Sequence, residues 1–324
     1  MSRPVAVVTD STAYLPRVEA VRLGITVIPL QVIIGGRVFD DRVKVFDDRV
    51  KIDPATLKAA LDGRGRTAEG TAGRAGTGAD ATFPGPRRPG PDARSATSDA
   101  GALSTSRPAP ERFAAAYEAA AAGGAAAVVS VHLSGGLSGT VDAARLAARD
   151  APIPVEVIDS RSIAMGLGFA VLAAAETARA GGTAEEVAAA ARRRLAATHS
   201  VLYVDTLEYL RRGGRIGAAA SLLGSALMIK PLLRIEDGTI VPLEKVRTAS
   251  RALARLEDLT VRAAGEGQVD IAVHHLAARE KAESLAGNLT RRVPGLQRLE
   301  IVEVGAAIAV HVGPGMLGVV VSGR

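Results

Sequence analysis

The chain has 324 residues, 48 % of them hydrophobic, with five Phe, four Tyr, no Trp and a net charge of +6. That length accommodates two domains with substantial cores, and the absence of Cys excludes disulfides and thiolate metal sites and fits a reducing compartment. The basic balance raises nucleic acid as a partner, but dispersed arginines and few aromatics for base stacking argue against one.

Val5-Ala-Val-Val8 reads as a strand that runs into the polar turn Thr9 to Thr12. Its four apolar residues are too few for a signal-peptide core. No later apolar run approaches the ~18 residues of a membrane span, so a soluble cytoplasmic protein is expected. A short helix after Pro16 and strands over Ile25–Leu30 and Gln31–Ile34 follow. Val38 to Lys44 is then repeated without change as Val45 to Lys51, a tandem duplication of one loop or strand end with no functional role assigned to it. Asp53 and Pro54 open a helix to Leu61 as N-cap and first helical residue. Residues 63–104 are rich in Gly, Ala, Arg, Pro, Thr and Ser, with Phe83 and Leu103 the only large apolar side chains, so a disordered insertion is expected.

Beyond the insertion the pattern alternates. A helix over Glu111–Ala122 precedes the apolar run Ala125–His132, the turn Ser134 to Thr140 and a helix from Asp142 to Arg149. A strand over Val155–Ile158, Ala-rich helices near 163–180 and 184–197, and a strand over Val201–Val204 come next. Leu207 to Ile216 leads into an expected Ala/Leu helix ending near Lys230, and Asp237-Gly238 marks a hairpin between apolar runs. Helices over 250–263 and 279–291, with strands over 269–274, 299–304 and 319–321, complete the chain. Alternation of this kind specifies an α/β protein, expected as two α/β domains at residues 1–150 and 151–324.

Four loops carry hydroxyls, glycine or histidine at strand ends or helix starts: Thr9 to Thr12, Thr105-Ser106, Ser134 to Thr140 and His311 to Gly315. Each suits contact with a small anion, although for any one of them capping or turn geometry is the commoner explanation. Gly136-Leu-Ser138-Gly139 does not match the Gly-x-Ser-x-Gly nucleophile elbow, and His132 at a strand end reads as a structural histidine. The phosphate-loop and dinucleotide fingerprints are absent, and His274-His275 places adjacent side chains on opposite faces of a strand, unsuited to one metal.

Taken together the motifs resemble the DegV family. They are Val7-Val-Thr-Asp-Ser-Thr12, Thr105-Ser-Arg-Pro-Ala-Pro110, His132-Leu-Ser-Gly-Gly-Leu-Ser-Gly-Thr140, Asp159-Ser160, Leu210-Arg-Arg-Gly-Gly-Arg-Ile216, Lys230-Pro231, Glu244-Lys-Val-Arg-Thr248 and His311-Val-Gly-Pro-Gly315. The resemblance implies two α/β domains and a bacterial fatty-acid-binding protein. Such a protein holds a long-chain fatty acid in a buried tunnel and presents its carboxyl group to a separate ATP-dependent fatty acid kinase for phospholipid synthesis. It implies no cofactor, no metal and no catalysis by this chain; a lipid-directed hydrolase or phosphoryl-transfer enzyme is the alternative. Thr105, Ser106, Ser134, Gly135, Ser138 and His311 are then the expected head-group residues, with Arg247 adding positive potential. Arg211, Arg212 and Arg215 are the expected kinase-docking residues. Family members often carry serine where Gly135 stands, so the turn departs from the pattern there.

Overall fold

The computed structural model describes residues 4–34, 36–41, 103–223 and 229–324. Strand β1 (Val5–Asp10), helix α1 (Arg17–Arg22) and β2 (Thr26–Ile28) open the chain. Strands β3 (Gln31–Ile34), β4 (Arg37–Asp40) and β5 (Leu103–Ser106) form a small antiparallel sheet in the order β4-β3-β5. Helix α2 (Pro110–Ala122), β6 (Ala127–His132), α3 (Thr140–Ala148) and β7 (Val155–Asp159) complete a parallel sheet in the order β2-β1-β6-β7. Helices α4 (Met165–Arg179) and α5 (Ala184–Ala196) lead to β8 (Thr198–Tyr203) and α6 (Glu208–Arg212). The remainder is β9 (Lys230–Glu236), β10 (Thr239–Val246), α7 (Ala249–Ala264), β11 (Val269–His275), α8 (Arg279–Arg292), β12 (Leu296–Glu303), α9 (Ala306–Val312) and β13 (Leu317–Gly323). Strands β8 to β13 form a second sheet in the order β10-β9-β8-β13-β11-β12, in which only the β11–β12 pair is parallel.

The α/β class expected from the alternation is what the chain adopts. Helices α2 and α3 cover the outer face of the parallel sheet around Phe113, Tyr117 and Ala144. Helices α7 and α8 cover the outer face of the second sheet around Leu256, Leu289 and Ile271. Helix α4 lies between the sheets, in contact with β1 and β6 on one side and β8 and β13 on the other. Its sequence from Met165 to Ala175 is apolar all round because neither side meets water there, and Met165 through Leu172 are all buried. Strand alternation divides the cores: Leu317, Val319 and Val321 of β13 face α7 and α8, whereas Val320 faces α4.

Several boundaries differ from the sequence reading. The first sheet closes with β7, so the chain leaves it after residue 159, beyond the expected division at 150. Over Gly217–Leu222 a 3-10 segment stands in place of the expected Ala/Leu helix, because Gly217 at its start adopts a left-handed φ of 52°, and residues 224–228 of that expected helix lie outside the described residues. His311 lies in the last turn of α9, which Gly313 ends at φ 74°, so the loop expected at 311 begins two residues later. Leu103 and Ser104, assigned to the insertion, belong to β5, where Leu103 is buried. The first repeat copy supplies β4, whereas the second copy, the helix over 53–61 and the rest of the 63–104 insertion lie outside the described residues.

Candidate functional site

The strand order of the parallel sheet reverses between β1 and β6, the topological switch point at which open α/β sheets form clefts. Asp10 ends β1, fully buried. Its carboxylate accepts from Thr12 N at 3.0 Å, Thr12 Oγ1 at 2.6 Å, Leu133 N at 2.9 Å and His132 Nδ1 at 3.1 Å. The other ring nitrogen of His132 is 2.7 Å from Ser130 Oγ, which is 2.9 Å from Tyr117 Oη. Burial pushes the Tyr117 hydroxyl up to about 12, against the opposing hydrogen bond from Ser130. Alternation along β6 turns Ser130 and His132 toward α2, where Phe113 meets the His132 ring edge-on at 5.2 Å. His132 is therefore a satisfied structural histidine that locks the ends of β1 and β6 together. It does not pair with Ser138, whose hydroxyl bonds Thr140 Oγ1 at 2.9 Å.

On the opposite face, between the switch point and the second sheet, lies a cavity of about 110 Å³. That is roughly ten times the space one water needs. Two cross-strand rows of the second sheet line it, Ile240–Ile235–Ser200–Val320 and Leu202–Gly318–His274. Leu30, Leu133, Leu137, Leu210, Ile308 and Val312 continue the apolar wall. The polar side chains of the lining come mainly from Thr105 and Ser106 on β5, Arg107, Ser138, Arg215 and His311.

Thr105 Oγ1 and His311 Nε2 stand 2.9 Å apart, brought together across 206 positions. Asp41 helps to seat the helix that carries the histidine: its carboxylate accepts from Ala307 N at 3.1 Å and from Ser11 Oγ at 3.0 Å. Gly213 lets the ring approach, since a Cβ there would fall 2.1 Å from His311 Nδ1. Gly139 does the same for Arg107, whose guanidinium would meet a Cβ at 2.5 Å. Arg107 has no ion pair among the described residues. Arg215 donates to Leu137 O at 3.1 Å and Gly213 O at 2.5 Å. Ala164, on the cavity wall, holds φ 57° and ψ −144°, a backbone strain of the kind that gathers at binding sites. The next residue donates its N–H to His274 Nε2 at 3.2 Å.

The expected site residues thus divide. Thr105, Ser106, Ser138 and His311 line one cavity. Ser134 does not: its hydroxyl donates to Gly238 O at 2.6 Å and accepts from Gly136 N at 3.1 Å, tying the turn to the β9–β10 hairpin. Gly135 is exposed, its N–H bonded to Asp159 Oδ1 at 3.2 Å, and a Cβ would stand 2.9 Å from Asp159 Oδ2. Arg247 is exposed between β10 and α7 and is not among the lining residues. Of the three expected docking arginines, Arg211 and Arg212 are exposed on α6, and Arg215 is turned into the cavity. The hydrogen bond from Arg211, with help from Arg212, holds the Glu208 carboxyl down at about 2. Asp41, Arg107, Ser200 and His274 were not singled out from the sequence as cavity or positioning residues. Arg107 stood inside the Thr-Ser-Arg-Pro motif, and the strand period of two would have aligned His274 with Gly318. Among the described residues no group of three or more acids and histidines is arranged to hold a metal, and no helix is long and apolar enough to cross a membrane.

The family model described as "Uncharacterised protein, DegV family" matches residues 4–62 and 94–324. A DegV domain-containing protein of Streptomyces coelicolor is 51% identical over 324 residues, covering 100% of both chains. The solved structure of a DegV family protein from Thermus thermophilus, described by its fatty acid binding, superposes with a TM-score of 0.80 at 29% identity, covering 99% of this chain and 100% of that one. DegV from Bacillus subtilis, described as a fatty acid binding protein, gives a TM-score of 0.79 at 28% identity, with 100% of each chain covered. Sequence motifs, fold and relatives agree, and the chain belongs to the DegV family.

Proposed function

We propose that this chain binds one long-chain fatty acid in the cavity between its sheets and presents the carboxyl group to a separate ATP-dependent fatty acid kinase in the cytoplasm. The observation that carries the reading is a single cavity joining an apolar floor to a polar cluster of Thr105, Ser138, His311, Arg107 and Arg215. Burying about sixteen carbons at ~0.8 kcal/mol per methylene contributes roughly 11 kcal/mol before association costs. A carboxylate buried without partners would cancel several kcal/mol of that. The Thr105 hydroxyl, the His311 ring and the two guanidiniums supply donors for it. The Thermus and Bacillus relatives, described as fatty acid binding, support the ligand class.

The kinase step rests on placement. Arg211 and Arg212 stand exposed on α6, and Gly213, the next residue, packs against His311. A basic surface beside the carboxyl end suits an acidic docking partner. Native mass spectrometry of the purified protein tests the ligand: one fatty-acid mass per chain is expected, and a protein that stays empty when offered free fatty acids would sink the reading. Arg211→Glu with Arg212→Glu should then lower acyl-phosphate formation by the kinase while leaving lipid affinity intact. Loss of lipid affinity in that variant would contradict the division between docking and binding.

A further inference from the structure

A second space adjoins the cavity. It is a polar cleft of about 480 Å³ lined in part by Asp159, Arg161, Arg192 and Asp237, and it shares Ser200 and Ile235 with the cavity. Register makes those two neighbours. Val201 pairs with Arg234 and Leu202 with Leu233, so Ser200 stands opposite Ile235 one step beyond the last paired rung. Position along the strands separates them from the Thr105–His311 pair. Strand β13 follows the His311 helix and begins with the Leu317–Tyr203 rung, whereas Ser200 pairs with Val320, three residues further on. That is about 10 Å along the sheet. The Ser200 hydroxyl is half-buried and makes no hydrogen bond among the described residues. In a dry apolar floor such a hydroxyl is unfavourable, whereas at the border of a wetted cleft it keeps water as its partner.

We infer that the Ser200–Ile235 rung is a sill that sets the acyl-chain length this protein selects. The inference rests on the fatty-acid reading of the cavity and adds where the dry part of the tunnel ends. On the cavity side each methylene leaves water; beyond the sill, among the charged side chains of the cleft, it does not. Binding should therefore strengthen by about fourfold per methylene until the chain reaches the sill, and then level off.

The test is a graded series of saturated fatty acids bound to the full-length protein, with affinities read by competition against a fluorescent fatty acid. A rise followed by a plateau is expected. Ser200→Phe should narrow the passage, so that chains beyond the plateau length bind at least tenfold more weakly while shorter ones keep their affinity. Ser200→Leu, a smaller change, should act in the same direction and serves if the Phe variant does not fold. Affinity that climbs without a plateau, or long-chain affinity that neither variant moves, would overturn the sill. A protein that binds no member of the series overturns the fatty-acid reading instead, and the two failures are distinct.

Discussion

Among the described residues two hydroxyl–histidine pairs have nearly equal geometry, Ser130 with His132 at 2.7 Å and Thr105 with His311 at 2.9 Å. The first is sealed. Both residues are 0% exposed, both ring nitrogens are occupied, and the Asp10 carboxylate stands behind the ring as it would in a serine hydrolase. The second is half-buried and faces a cavity. Side-chain chemistry alone does not separate them, because what differs is the face of the sheet to which each belongs. Position within β6 points Ser130 and His132 at α2, with Tyr117 closing the chain of hydrogen bonds. The partners Thr105 and His311 come from a strand end and a helix end that open on the space between the two sheets. A Ser–His–Asp constellation is thus a structural bolt when its serine has no path to a substrate, and a simpler Thr–His pair is the one that lines the cavity.

The comparison breaks most visibly at Asp10. Asp10→Ala strips the acceptor from His132, Leu133 N and Thr12 in a dry interior, and should destabilise the fold by about 3–5 kcal/mol, measured by chemical denaturation. At the other pair, Thr105→Val combined with His311→Phe should leave the melting temperature of the lipid-free protein nearly unchanged. It should weaken fatty-acid affinity by about 1.5–3 kcal/mol, roughly tenfold to a hundredfold, in a displacement titration. A reversal of these outcomes, with lipid binding lost at Asp10 in a stable fold, would place the site on the α2 face.

The α/β class, and most of the elements, were legible because clear strand and helix periods succeed one another from β6 onward. The polar lining was legible in part, through Thr105, Ser106, Ser138 and His311. Ser134 and Ser138 look alike in the sequence, yet one faces the hairpin tip and the other the cavity. No local pattern reports that, since the partner of Ser134 is Gly238, 104 positions away. Arg215 was read with Arg211 and Arg212 as one basic surface, but Gly213 and Gly214 turn the chain between them and send it inward. Asp41 was hidden for a similar reason, because its partners Ser11 and Ala307 meet it only in the fold.

A third histidine sharpens the contrast, because it has neither kind of partner. His275 is 2% exposed, and its Nδ1 makes no hydrogen bond among the described residues. Burial pushes its pKa below the usual 6.5, only partly opposed by Glu303. The sign follows from linkage. Above pH 6.5 folded and unfolded chains both carry a neutral ring at this position. As the pH falls below 6.5 the unfolded chain takes up a proton that the folded one refuses, so stability declines until the folded pKa is passed. One proton limits that slope to about 1.4 kcal/mol per pH unit. In denaturation curves at pH 7.5 and 5.5, His275→Gln should lose less stability than the parent over the same interval. An equal loss in both would mean that the acid sensitivity arises elsewhere.

The smallest effect separates the two serines of the turn. Ser134 Oγ donates to Gly238 O and receives Gly136 N, and the hairpin it anchors carries Ile235 and Ile240 into the cavity floor. Gly238, at φ 79°, leaves the room that this contact needs: a Cβ there would fall 2.4 Å from the Ser134 hydroxyl. Ser134→Ala leaves a buried carbonyl short of one donor and should lower stability by about 1 kcal/mol, with fatty-acid affinity unchanged. Ser138, whose hydroxyl bonds Thr140 Oγ1 and which lines the cavity, should behave in the opposite way. Ser138→Ala is expected to weaken fatty-acid affinity severalfold and leave the denaturation midpoint within error. Measuring both quantities on both variants decides between a turn that binds through its last serine and one that binds through its first. Weakened affinity in Ser134→Ala together with an unchanged Ser138→Ala would move the carboxylate toward the hairpin tip.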